Sequence, residues 1–255
     1  MTAAIYFSPT YTSKKGAEAI AAKMAGDGEI LSIDVTKKDA CPEKTEFDSD
    51  DLVVFGAPVY GGRLYRGCRE RFRRFGGKGT PSVITVTYGN RHYDDALIEL
   101  FDLVREQGFR PLAAAALVGQ HTYGHIQVGR PDETDLAEDR DFALRAAQNL
   151  EDDVFLETVP GNRPYVKGDE GGKGGNFRPL TSEACTGCGL CVRECPEGAI
   201  GEDCRTIDPE ACISCFRCIR ICPTGAKNMD VPAYQEFAEE FSRKLSQPRK
   251  NEYFL

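Results

Sequence analysis

Basic residues are in deficit: 32 Lys+Arg stand against 40 Asp+Glu in 255 residues, a formal net charge of −8. An acidic chain repels phosphate backbones, which argues against non-specific nucleic-acid binding. Long apolar runs are also missing. The longest, Leu112 to Val118, is far too short to span a bilayer. The N-terminus, Met1-Thr2-Ala3-Ala4-Ile5-Tyr6-Phe7, lacks a basic n-region and runs straight into a strand-like segment. No secretory signal is expected, and the expected compartment is the cytoplasm, where thiols stay reduced. No strand is followed by G-x-G-x-x-G opening a helix, so a nicotinamide Rossmann site is not supported. What is present is ordinary for a folded chain: 41% hydrophobic and 28% charged residues rule out wholesale disorder. The length suits one or two domains.

Against that background the 11 cysteines stand out, because nine of them fall between Cys185 and Cys222. In a reducing compartment such clustering points to metal and not to disulfides. The first 158 residues have a different character and alternate strand-like with helix-like segments. Ala3–Phe7, Ile30–Val35, Leu52–Gly56, Ser82–Thr87 and Leu112–Val118 read as five strands. Ser13 is expected to cap a helix through Met24. Leu64, Cys68, Phe72 and Phe75 recur at helical spacing, and Asp94–Gln107 and Asp132–Leu150 read as amphipathic helices. Five strands alternating with helices imply a parallel, doubly wound α/β sheet, with ligands expected at its carboxyl edge. Residues 159–180, with Gly168 to Gly175 flanked by prolines, read as a Gly/Pro-rich linker. Residues 181–231 hold an internal repeat. Residues 232–255 read as a helix around Tyr234–Leu245 and a tail ending Tyr253-Phe254-Leu255.

The sixteen residues from Cys185 match the sixteen from Cys212 at eight positions, including all four Cys, the Pro and the Gly-Ala after it. A unit this short cannot hold a core alone, so the halves must share something at their interface. The pattern is Cys185-x2-Cys188-x2-Cys191-x3-Cys195-Pro196, then Cys212-x2-Cys215-x2-Cys218-x3-Cys222-Pro223. Over about 50 residues this resembles the bacterial two-cluster ferredoxins, whose fourth Cys ligates the other cluster. The resemblance implies a small α+β domain with two [4Fe-4S] clusters that move single electrons. One cluster would use Cys185, Cys188, Cys191 and Cys222, the other Cys212, Cys215, Cys218 and Cys195. The alternative is structural zinc, which favours separated Cys pairs that each close one tetrahedron. A tandem three-plus-one pattern does not suit that. Cys41, Cys68 and Cys204 are left over and carry no assigned chemistry.

The loop after the first strand reads Ser8-Pro9-Thr10-Tyr11-Thr12-Ser13 and leads into a helix N-terminus. Hydroxyls, backbone N–H groups and the helix dipole suit a phosphate there, although a Ser/Thr-rich turn alone is also an ordinary helix cap. The loop resembles the flavodoxin phosphate loop, [ST]-x-T-G-x-[ST], with Tyr11 standing where that family has Gly. Two further loops, Pro58-Val59-Tyr60-Gly61 and Thr87-Tyr88-Gly89-Asn90 running on to Tyr93, lie where flavodoxin-like proteins hold the isoalloxazine of FMN. The resemblance implies strand order 2-1-3-4-5 and FMN binding by these residues, with Tyr60, Tyr88 and Tyr93 as aromatic contacts. The loop Gly119 to His125 would lie on the same edge, its histidines either contacting ligand or simply hydrogen-bonded.

As a whole the chain resembles fusions of a flavodoxin-like domain with a bacterial two-cluster ferredoxin domain. That implies an iron–sulfur flavoprotein passing electrons between clusters and FMN in an anaerobic-type pathway. The alternatives are a flavin-dependent reductase of a small-molecule acceptor fed by the clusters, and a ferredoxin whose first domain is an empty docking module. Seven basic residues and one acid lie between Arg63 and Lys78. Such a run is most often a solvated helix face, but it suits an acidic redox partner or the chain's own ferredoxin surface. Phe237, Phe241 and Leu245 share a helical face, which is expected to pack back on the first domain.

Overall fold

The computed structural model describes residues 1–169 and 175–255, so part of the Gly-rich stretch in the expected linker lies outside the described residues. Five parallel strands form the centre: β1 (Thr2–Tyr6), β2 (Ile30–Asp34), β3 (Leu52–Tyr60), β4 (Thr80–Tyr88) and β5 (Phe109–Val118). Their order is 2-1-3-4-5, the flavodoxin-like doubly wound arrangement. Register runs Ala3 to Val53, Phe55 to Ile84, and Ile84 to Ala114. Strands covered on both faces lose the polar alternation of a half-exposed sheet. β3 and β4 show this: Leu52 to Ala57 and all of β4 are buried.

Helices α1 (Thr12–Ala25) and α4 (Glu133–Glu151) cover one face, through Ala17, Ile20, Phe142 and Ala146. Helices α2 (Arg66–Phe72) and α3 (Ala96–Glu106) cover the other, through Cys68, Phe72, Leu97, Phe101 and Val104. Each large side chain buried in this way contributes ~1.5–3 kcal/mol. Asp132 starts α4 with a capping box: its carboxylate accepts from Thr134 N and Asp135 N, and Asp135 accepts from Asp132 N. The expected helix around Leu64–Phe75 is shorter. Leu64 lies in a two-residue strand on the edge of β3, and Phe75 begins a second short strand, Phe75–Gly77. Ser13 is not the cap of α1, because Tyr11 occupies that position and Ser13 falls inside the first turn.

After α4 the chain returns across α3. Asp95 accepts from Asn162 N, Asn162 Nδ2 and Val166 N, and Tyr165 Oη donates to Asp102 at 2.8 Å. Two one-turn helices, Leu190–Arg193 and Arg217–Arg220, follow in the cysteine repeat. The chain ends with α5 (Pro232–Lys244) and β6 (Glu252–Phe254). β6 adds antiparallel to β5, with Tyr253 opposite Ala115. The tail packs on the first domain both through α5, whose Phe241 ring lies 5.0 Å from that of His121, and through β6, a strand that the sequence reading of the ending did not foresee. Among the described residues no helix is long and apolar enough to cross a membrane.

Tyr253 stacks on Phe142 at 4.9 Å and donates to Asp139 at 2.9 Å. Burial pushes the Asp139 carboxyl up to about 7, against the Tyr253 hydrogen bond that lowers it. The folded chain therefore holds this proton where the unfolded chain has released it. Stability should fall as pH climbs from about 4 to about 7 and then level off. Asp139→Asn should raise the thermal midpoint at pH 8 and flatten that slope, both readable by calorimetry. An unchanged slope would contradict the assignment.

Candidate functional site

A cleft of ~310 Å³ opens at the carboxyl ends of β1, β3, β4 and β5, within the size range of small-molecule sites. One end is the loop from β1 to α1. There Ser8 Oγ accepts from Lys14 N at 3.0 Å, Ser8 N donates to Thr36 Oγ1 at 2.8 Å, and Tyr11 N donates to Ser8 O at 3.2 Å. Ser8, Thr10, Thr12 and Ser13 line the cleft. Ser13 Oγ and Thr87 Oγ1 are buried there with no hydrogen-bond partner among the described residues. Buried hydroxyls are seldom left unpaired, so two of them facing one cleft ask for a polar ligand.

Tyr11 takes the left-handed conformation, φ 66°, that glycine would supply, at a cost of ~1–2 kcal/mol. Its ring does not enter the cleft. It is 41% exposed and lies under the guanidinium of Arg217, 4.8 Å from ring centroid to Cζ. The departure from Gly therefore leaves the loop backbone as a phosphate loop needs it. The site residue expected at Tyr11 becomes an outward contact.

Pro58, Val59, Tyr60 and Gly61 come from the end of β3, and Thr87, Tyr88 and Gly89 from the end of β4; all line the cleft. Asn90 and Tyr93 do not. The Asn90 amide donates to Leu245 O (2.8 Å) and Gln247 O (2.9 Å) and accepts from Arg249 N (2.8 Å). Tyr93 Oη donates to Glu252 at 3.0 Å, and Tyr88 Oη donates to Lys250 O at 3.4 Å. Both Asn90 and Tyr93 are spent on anchoring the C-terminal segment. Arg91, Gln120, Thr122, Phe237 and Phe241 line the cleft instead. Gln120 and Thr122 belong to the Gly119–His125 loop that the sequence places on this edge, and the two phenylalanines show in the sequence only as a helical spacing.

His121 packs against Gly89, where a Cβ would come within 2.2 Å of the imidazole. Its Nδ1 accepts from Tyr123 N at 2.8 Å, which leaves the ring proton on Nε2. Burial lowers its pKa to about 4, and nearby Arg220 and Arg91 lower it further, against a raising contribution from the Tyr123 backbone. At pH 7 it is a neutral N–H donor on the cleft wall.

The cysteines of the repeat line two separate cavities. Cys185, Cys188, Cys191 and Cys222 line one small cavity, with Cys204 beside them. Cys195, Cys212, Cys215 and Cys218 line a second. The two repeats trace the same backbone. Gly187 and Gly189 have φ 69° and 71°, and their counterparts Ser214 and Phe216 hold φ 53° and 56° despite their side chains. A zinc site would close four thiolates on one ion. Among the described residues no three Cys, His, Asp or Glu side chains converge in that way. Two quartets of thiols on tight turns fit a pair of cubane clusters. Cys41 and Cys68 are buried in the first domain, away from both cavities.

Cys215 lines the second sulfur cavity and also the cleft. Two residues on, Arg217 is 5% exposed, donates through Nη1 to Pro9 O at 3.0 Å, and pairs through Nη2 with Glu194. Arg71 makes a second bridge, to Thr36 O at 2.6 Å on one side and to Glu197 at 2.6 Å on the other. The basic run is therefore not a free docking face. Arg63 is buried against Glu99, and Arg69 bonds Glu99 and Asp169. The exposed Arg66, Arg73 and Lys78 are paired with Glu70, Glu106 and Asp48.

Residues 184–226 match the 4Fe-4S dicluster domain family. A comparison with curated proteins finds no match. Similar solved structures include a flavodoxin from the domain Archaea, at 15% identity over 58% of this chain and 97% of that one, TM-score 0.39. Flavodoxin 1 from Bacillus cereus matches at 16% identity over 57% and 96%, TM-score 0.40. The Flv1 flavodiiron core from Synechocystis sp. PCC6803 matches at 17% identity over 59% of this chain and 36% of that one, TM-score 0.41. The strand order, not these scores, defines the fold. The chain thus joins a flavodoxin-like fold, defined by its strand order, to a stretch similar to the 4Fe-4S dicluster domains.

Arg217→Met removes the Pro9 and Glu194 contacts and the stacking on Tyr11. A charge-assisted hydrogen bond of this kind is worth ~1.5–3 kcal/mol. The thermal midpoint of the full chain should drop by several degrees in calorimetry. An unchanged midpoint would show that Arg217 is not a strut.

Proposed function

We propose that this chain is an electron-transfer protein that holds FMN in the cleft and two [4Fe-4S] clusters in the cysteine cavities. The single observation that carries this is Cys215, which forms part of the wall of both sites. Such clusters carry one electron at a time, and FMN takes two and releases them singly or as hydride. The chain's own residues bind and orient. Ser13 Oγ and Thr87 Oγ1 are free to donate, and Thr10 and Thr12 stand at the N-terminus of α1, where the helix dipole favours a phosphate. Tyr60, Tyr88 and Tyr123 offer aromatic and apolar wall, and His121 offers a neutral N–H.

Phe237 and Phe241 of α5 enter the cleft from the C-terminal side. They exclude water and occupy space that a small-molecule acceptor over the flavin would need. This favours an electron carrier with a protein redox partner over a reductase. The outward ring of Tyr11 counts against an empty docking module. Residues 1–158 would be the FMN domain, 159–180 the connection, 181–231 the cluster domain, and 232–255 the segment that closes the cleft.

Two measurements test the assignment. Ser13→Ala should weaken FMN binding about tenfold, ~1.4 kcal/mol, and leave riboflavin affinity unchanged. Titrating flavin-free protein with each flavin decides this, and equal affinity of the unsubstituted chain for both would refute the phosphate loop. Cys195→Ala should damage the cluster of Cys212, Cys215 and Cys218 and spare the other, as followed by iron content and electron paramagnetic resonance. Loss of the Cys185 cluster alone would overturn the crossed ligation.

A further inference from the structure

Residue 227 closes the second cysteine repeat. Aligned on their cysteines, the segment from Cys185 ends in Ile200 and the segment from Cys212 ends in Lys227. A position that is apolar in one repeat is charged in the other. Lys227 is only 2% exposed, and its Nζ has no hydrogen-bond partner among the described residues. The backbone is fixed by the short pairing of Lys227 with Thr181. The side chain lines the cavity of Cys185, Cys188, Cys191 and Cys222. The other cavity, of Cys195, Cys212, Cys215 and Cys218, is lined at the equivalent position by Ile200.

An ammonium withdrawn from water costs several kcal/mol unless an opposite charge compensates it. Among the described residues no carboxylate bonds Nζ, and the cavity that the side chain lines holds five cysteines. A cubane held by four thiolates carries net negative charge and becomes more negative by one electron on reduction. We propose that Lys227 is a fixed positive charge at the cluster of Cys185, Cys188, Cys191 and Cys222, and that it raises the reduction potential of that cluster. The proposal rests on the iron–sulfur reading above. A nearby cation stabilises the reduced form more than the oxidised form, because the attraction grows with the charge it faces. At the other cavity the apolar Ile200 supplies no such charge, so the effect is expected chiefly at one centre.

The test uses the full chain, purified without oxygen, with cluster potentials measured by redox titration followed by electron paramagnetic resonance. Lys227→Met keeps the length and removes the charge. The midpoint of the Cys185 cluster should move to more negative values by at least ~59 mV, a tenfold change in a one-electron equilibrium, and that of the other cluster should move less. Lys227→Arg, which keeps the charge, should stay close to the unsubstituted chain. Fully loaded Lys227→Met protein with unmoved potentials overturns the proposal. If Lys227→Met fails to assemble clusters and Lys227→Arg assembles both, the charge is required and the proposal stands. If both variants fail, packing and not charge accounts for Lys227, and the proposal falls. Absence of clusters in the unsubstituted chain would instead refute the iron–sulfur reading itself.

Discussion

Arg217 leaves the second cysteine loop and sets its Nη1 3.0 Å from Pro9 O, with Tyr11 stacked beneath it. This contact links the two halves of the chain at the place where both must be accurate. The Cys215–Cys218 turn cannot shift without dragging the β1–α1 loop, and that loop cannot open without releasing a buried guanidinium. Arg71 repeats the linkage between Thr36 and Glu197. Electron exchange needs close and constant spacing, which a Gly-rich connection alone would not enforce. Two buried arginines enforce it by an electrostatic constraint, because breaking either leaves a desolvated charge unpaired.

The C-terminal segment is the second half of that constraint. β6 completes the edge of the sheet, and Asn90, Tyr93 and Tyr88 hold the approach to it from beneath. α5 is thereby pinned at both ends and sets Phe237 and Phe241 into the cleft. An edge strand in a parallel sheet exposes unpaired backbone, and covering it with the chain's own terminus removes that liability. The same segment closes the sheet and closes the site.

Much of this was legible in the sequence wherever local chemistry dictates geometry. The grouping of eight cysteines into two quartets was legible through the spacing that resembles two-cluster ferredoxins, and the same quartets line two cavities. The strands were legible because buried parallel strands read as apolar runs, and their order followed from the resemblance to flavodoxins. What was not legible depends on partners far along the chain. Asn90 and Tyr93 look like flavin contacts until residues 155 to 159 positions later claim their side chains. The basic run from Arg63 looks like a docking face until Glu99 and Glu197 neutralise it. Leu64 and Phe75 fit a helical period only because short strands flank α2. Tyr11 is unreadable for a related reason: a non-glycine residue holds a left-handed conformation when tertiary contacts over-determine it, and Arg217 supplies the contact.

The central claim is that the cleft and the second sulfur cavity share one wall. The 31P resonance of FMN bound to the full, cluster-loaded chain tests it directly, because Arg217 ties the phosphate loop to the Cys215 turn. Reduction of the clusters should broaden that resonance strongly through the nearby unpaired spin. A sharp resonance in fully loaded, fully reduced protein would contradict the account.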